Sequence, residues 1–119
     1  MSYIFPIYAP AATQAVTLTA TTKEIEITGR TVNITVAAST TAVATLASVP
    51  VGLVFTLDGT NVSATGSASA TITTKAGKTI ELTNGEIVTL MALENDGFTV
   101  MDAKGAEGVT NTAGGTLFS

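Results

Sequence analysis

The sequence predicts an all-β chain, a small antiparallel β-sandwich or barrel of jelly-roll-like type carrying an extended N-terminal arm. Three observations lead there. Apolar residues recur with a period of two along most of the chain, which is the signature of half-buried strands. Turn residues separate these runs every 8–12 residues, with no helical periodicity between them. Lys78–Asp102, KTIELTNGEIVTLMALENDGFTVMD, reads as three consecutive strands joined at Asn84-Gly85 and Asp96-Gly97, dipeptides suited to tight type I′ hairpins.

Three regions follow from composition. Residues 1–14 form the arm: Tyr3, Phe5 and Tyr8 are half of all aromatics in the protein, and no charged residue precedes Lys23. Pro6 and Pro10 hold the segment extended, because each fixes its own φ and biases its predecessor toward β or polyproline II. Such an arm either folds onto its own core or docks on a neighbouring subunit or larger particle, and Tyr3, Ile4, Phe5, Ile7 and Tyr8 are its candidate partner-binding residues. Residues 15–102 are the β-domain. Residues 103–119 are a Gly-rich tail ending in Leu117-Phe118, the pattern of a segment flexible or ordered by a partner.

Within the β-domain, Ala15–Ala20 alternates Val16 and Leu18 with small polar residues, and Glu24–Thr28 sets Ile25 and Ile27 opposite Glu24 and Glu26. After a turn at Gly29-Arg30, Val32, Ile34 and Val36 point inward and Thr31, Asn33 and Thr35 outward. Residues 38–47 form a weak strand. Pro50 can start a strand but not occupy a central one, so Val51–Leu57 follows it, with Leu53, Phe55 and Leu57 on one face and a turn at Asp58-Gly59. The small polar stretch 61–74 reads as an edge strand around Gly66 and another at Ser69–Thr74. Ile80 and Leu82 then face inward, Ile87–Leu93 is apolar enough for burial on both faces, and Phe98 and Val100 share a side. Lys23–Ile34 and Lys78–Leu90 repeat one residue order with one insertion before Gly85, which supports a hairpin at both places.

Composition excludes several functions. With no His and no Cys, a Ser-His-Asp or Cys-His arrangement cannot be built within the chain, nor can a His/Cys zinc site. Glu24, Glu26, Glu81 and Glu86 fall on outward faces or turns, where a solvated strand edge explains them better than a glycosidase pair. Asp58, Asn61, Asn95, Asp96 and Asp102 sit near turns without the spacing of a calcium loop. The reading is therefore non-enzymatic, with no cofactor and no metal. A net charge of −4 gives no electrostatic reason for binding nucleic acid or anionic membrane. No run of about 20 apolar residues suggests a membrane helix, and MSYIFPIYAPAA, interrupted by prolines and lacking a basic start, does not read as a signal peptide.

Charged residues make up only 12%, about half the usual share, and mean hydropathy is +0.46. A lone monomer with that surface would stick to itself, so permanent assembly is expected.

The segment Thr79–Val100, TIELTNGEIVTLMALENDGFTV, resembles the β modules of tailed-bacteriophage virion proteins, the head-decoration, head-fibre and tail-fibre families. The resembling features are a strand ending at Gly85, a Val/Leu strand, then Asp96-Gly97 and an aromatic strand opening at Phe98, where those modules commonly carry Trp. The resemblance implies a virion structural protein, frequently a homotrimer. In the decoration case it would sit on the capsid surface, bound to the major capsid protein of a phage head, and would stabilise the assembled head. Two alternatives remain: a tail- or head-fibre module binding a host surface glycan, and a bacterial surface or pilus-like subunit that polymerises through its arm.

Overall fold

The structure, a computed structural model, describes residues 11–104. Nine strands form two sheets. β1 (Ala11–Leu18), β3 (Gly29–Val36), β5 (Val54–Asp58), β8 (Ile87–Ala92) and β9 (Phe98–Lys104) lie in that order in one sheet; β2 (Lys23–Ile25), β4 (Thr41–Leu46), β6 (Ser69–Thr73) and β7 (Thr79–Leu82) form the other. The all-β expectation holds.

The pairing differs from an antiparallel, jelly-roll-like order. From β1 to β6 the chain alternates between sheets, so β1–β3–β5 and β2–β4–β6 are parallel neighbours. A parallel pair needs a long crossover, and here the crossover between two strands of one sheet is a strand of the other. At β6–β7 the chain turns back within the four-stranded sheet, and β7, β8 and β9 all pair antiparallel. The period-two pattern specifies which side of a strand is buried; it does not specify the direction of its neighbour.

The pattern does place the core. Val32, Ile34, Val36, Phe55, Leu57, Ile80 and Leu82 are all buried, as their alternation predicts. They align in rows across each sheet: Val32 with Leu57 and then Val88, and Ala44 with Ile72 and then Ile80. Both sheets contribute to one hydrophobic cluster. Each fully buried Val, Leu, Ile or Phe contributes about 1.5–3 kcal/mol relative to exposure. The alanines Ala42, Ala44 and Ala70 of β4 and β6 are buried in the same cluster. Phe98 meets Phe55 edge to face, with centroids 5.7 Å apart.

Several local expectations change. Gly29 and Arg30 begin β3 and form no turn. Residues around Gly66 form no strand, and β6 is an interior strand between β4 and β7, not an edge. Small residues read as edge-like in sequence, but here they serve close packing. Ile87, Thr89 and Met91 are half-buried, so β8 buries one face fully and the other only partly. Asn84-Gly85 joins strands of different sheets and makes no hairpin. β8 and β9 are a hairpin, but the left-handed residues of its loop are Asn95 and Asp96, both with φ of 60°, and not Asp96-Gly97. The first strand starts at Ala11, inside the segment read as an arm through residue 14, and the last extends to Lys104.

Candidate functional site

Among the described residues three places bear on function: a corner, a slot and a sheet face. The corner is residues 83–86, between β7 and β8. Glu86, expected on an exposed turn, is buried. Its Oε1 accepts hydrogen bonds from the Thr83 backbone N–H and from Thr83 Oγ1, the latter at 2.9 Å. A carboxylate withdrawn from water must be hydrogen-bonded, and this corner supplies donors from its own first residue. Asn84 Nδ2 donates to the Val62 carbonyl at 2.7 Å, and the Gly59 N–H donates to the Glu86 carbonyl at 2.8 Å. Glu86 is therefore a structural brace, occupied by Thr83, with no second carboxylate joined to it. Glu24, Glu26 and Glu81 are exposed as expected.

The slot lies at the opposite ends of these strands. Successive connections carry the chain between sheets, but after β6 and β8 it does not cross. Each strand instead hairpins within its own sheet, through residues 74–78 and 93–97. The space between the two loops is a slot of about 360 Å³, lined by Thr74, Ala76, Lys78, Leu93, Asp96 and Phe98 among others. Ser48 Oγ donates to Asp96 Oδ1 at 2.7 Å and ties one wall to the β4–β5 connection. Its lining mixes apolar Ala76, Leu93 and Phe98 with Lys78, Glu94 and Asp96, and its size is at the low end of ligand sites, about 300–1,000 Å³.

The face is the outward side of the five-stranded sheet. Register aligns Thr13, Thr31, Thr56, Thr89 and Asp102 in one row across it, with Thr56 and Thr89 hydroxyls 2.9 Å apart. Val54 and Met91 are paired in a second row. β1 and β8 contain no charged residue; the charges on this face are Asp58 at the end of β5 and Asp102 and Lys104 on β9. Val51, Val54, Leu93 and Met101, the exposed large hydrophobics among the described residues, are 39–64% exposed and belong to β5, β8, β9 or their adjoining loops.

The sequence-predicted arm residues Tyr3, Ile4, Phe5, Ile7 and Tyr8 lie outside the described residues. The turn oxygens considered for calcium do not converge: Asp58 Oδ1 accepts from the Thr60 N–H, while Asp96 sits at the slot. Among the described residues no three His, Cys, Asp or Glu side chains approach closely enough to hold a metal ion. Neither the slot nor the buried Glu86 was read from sequence. The slot arises from two hairpins far apart in the chain, and a Gly-Glu pair after a strand looks like any exposed turn.

No protein-family model matches the chain, and no curated protein sequence matches it.

Proposed function

We propose that this chain is a non-enzymatic structural protein of a virion, a decoration or cement protein that binds an assembled phage head. The observation that carries the reading is the outward side of the five-stranded sheet. It is a row of threonines beside exposed Val54 and half-buried Met91, with charge confined to Asp58 at the end of β5 and to Asp102 and Lys104 on the edge strand β9. Such a surface suits contact with other protein subunits better than chemistry on a small molecule. The resemblance of Thr79–Val100 to phage β modules supplies the context.

In this reading three copies associate, and the segment bearing Tyr3, Ile4, Phe5, Ile7 and Tyr8 docks on the major capsid protein. A protein that binds the assembled shell and not its free subunits stabilises the shell by mass action. Light scattering on the full chain should give three times the 11.9 kDa chain mass; a monomer would remove the trimer. Co-sedimentation should show binding to assembled heads and none to free capsid protein, with binding lost on combined Tyr3→Ala, Phe5→Ala and Tyr8→Ala replacement at unchanged circular dichroism. Equal binding to heads and free subunits, or binding that survives the triple replacement, would overturn the arm-mediated cement mechanism.

A further inference from the structure

The two sheets are unequal, five strands and four, and β9 is an edge strand of the larger one. Its inward residues Phe98, Val100 and Ala103 pack on the core yet stay only partly buried. The slot opens beside Phe98, with Leu93 39% exposed at its wall. Among the described residues nothing pairs with the outer edge of β9. An uncovered apolar layer and a free strand edge together invite aggregation unless something covers them.

We propose that residues 105–119 of the same chain supply that cover, folding back beside β9 and seating Leu117 and Phe118 in the slot. The segment begins where it is needed. β9 ends at Lys104, at the opposite end of the strand from the slot, and the return from Lys104 to Phe98 is about 20 Å at roughly 3.3 Å per residue. The thirteen residues from Gly105 to Leu117 can span up to about 43 Å, enough for a reversal near Gly105 and Gly108 and a full return. Val109-Thr110-Asn111-Thr112 has the composition to pair along an edge, and the apolar pair comes only at the far end, at slot distance. The N-terminal segment is less well placed. It joins the sheet at Ala11 on β1, four strand spacings or about 19 Å from β9, and would have to cross the sheet to arrive. A tethered segment also binds at high effective concentration, which favours the chain's own tail over a second copy.

The absence of cysteine allows a clean test in the full chain. In Ser119→Cys with Ala76→Cys, mild oxidation should form a disulfide within one chain, located by mass spectrometry. It should form roughly tenfold faster than in a control pair, Ser119→Cys with Thr17→Cys on the far edge. Adding Phe118→Ala to the first pair should abolish the difference. Equal rates in the two pairs, insensitivity to Phe118→Ala, or disulfides between chains would overturn the proposal. So would a fast Tyr3→Cys with Ala76→Cys disulfide, which would give the slot to the N-terminal segment. The cement reading is judged separately, by solution mass and by particle binding through Tyr3, Phe5 and Tyr8, so either idea can fail alone.

Discussion

Lys23–Ile34 and Lys78–Leu90 share a residue order, and both carry the chain from the four-stranded sheet to the five-stranded one. Ile25 and Ile80 are buried on the first strand of each, and Val32 and Val88, Ile34 and Leu90 on the second. The corners between them are held differently. In the first, Gln14 on β1 reaches in from outside: its Oε1 accepts from the Thr28 and Gly29 N–H groups, at 2.8 and 3.1 Å, and its Nε2 donates to the Glu26 carbonyl at 2.6 Å. The second corner has one more residue and is braced by a side chain of its own, with Gly59 backbone beside it. The Glu86 N–H donates to the Thr83 carbonyl at 3.0 Å, Gly85 takes a φ of 84°, and the Glu86 carboxylate returns to Thr83. A single inserted residue thus separates a corner braced by a side chain of a neighbouring strand from one braced by its own Glu86 side chain and by backbone contacts with Gly59. The repeated order marks a sheet-to-sheet crossing, not a hairpin.

The largest expected effect tests how tightly the second corner is closed. Gly59 donates to the Glu86 carbonyl and accepts from the Gly85 N–H, and a Cβ placed on it would lie 2.6 Å from that Glu86 oxygen. Backbone cannot yield as a side-chain tip does, so Gly59→Ala should cost about 3 kcal/mol, read from urea unfolding. A loss below about 1 kcal/mol would show the corner to be compliant, and the contrast with the Gln14 corner would weaken.

Next come the two braces. Glu86→Ala removes the buried acceptor of two Thr83 donors and should cost about 2 kcal/mol, whereas Glu86→Gln keeps an acceptor oxygen and should cost about half of that. Gln14 is half-buried and its partners lie near solvent, so water can replace it. Gln14→Ala should cost about 1 kcal/mol. Equal losses for Glu86→Ala and Gln14→Ala in the same denaturation series would erase the distinction between a brace internal to the corner and one borrowed from a neighbouring strand.

How much of this was legible in the sequence depends on what period-two alternation encodes. It gave the inward residues of β3, β5 and β7 correctly, because a strand must bury one face whatever lies beside it. It could not give the partners. A parallel neighbour 18 residues away, such as Val16 beside Ile34, leaves no turn signature between the two. The Asn-Gly and Gly-Arg pairs therefore look like hairpins in sequence, since tight turns between strands are the local device that sequence reveals. Burial of Glu86 was hidden for the same reason: it depends on Thr83 folding over it and on Gly59, 27 positions earlier, which no local window contains. The slot required knowing that both sheets hairpin at one end. The aromatic segment Tyr3–Tyr8, the most distinctive feature of the sequence, lies outside the described residues.

The smallest effect separates the two glycines that the repeated order aligns. At Gly85 a Cβ would meet nothing within 4 Å, so the obstacle is the positive φ alone. Gly85→Ala should cost about 1 kcal/mol, and Gly85→Asn only a few tenths, because Asn enters the left-handed region with less penalty. Gly29 is not among the positive-φ residues, but its Cβ would sit 3.0 Å from Thr13 and Gln14 backbone atoms. There Asn should be no better than Ala, since the obstacle is the neighbouring strand and a longer side chain does not remove it. Thermal melting of the four variants decides the matter. Recovery by Asn at position 85 and none at 29 would show that the second corner uses glycine for its backbone shape and the first for the closeness of β1. Recovery at both would mean that β1 gives way at Gly29, and that the first corner is less dependent on its neighbour than Gln14 makes it look.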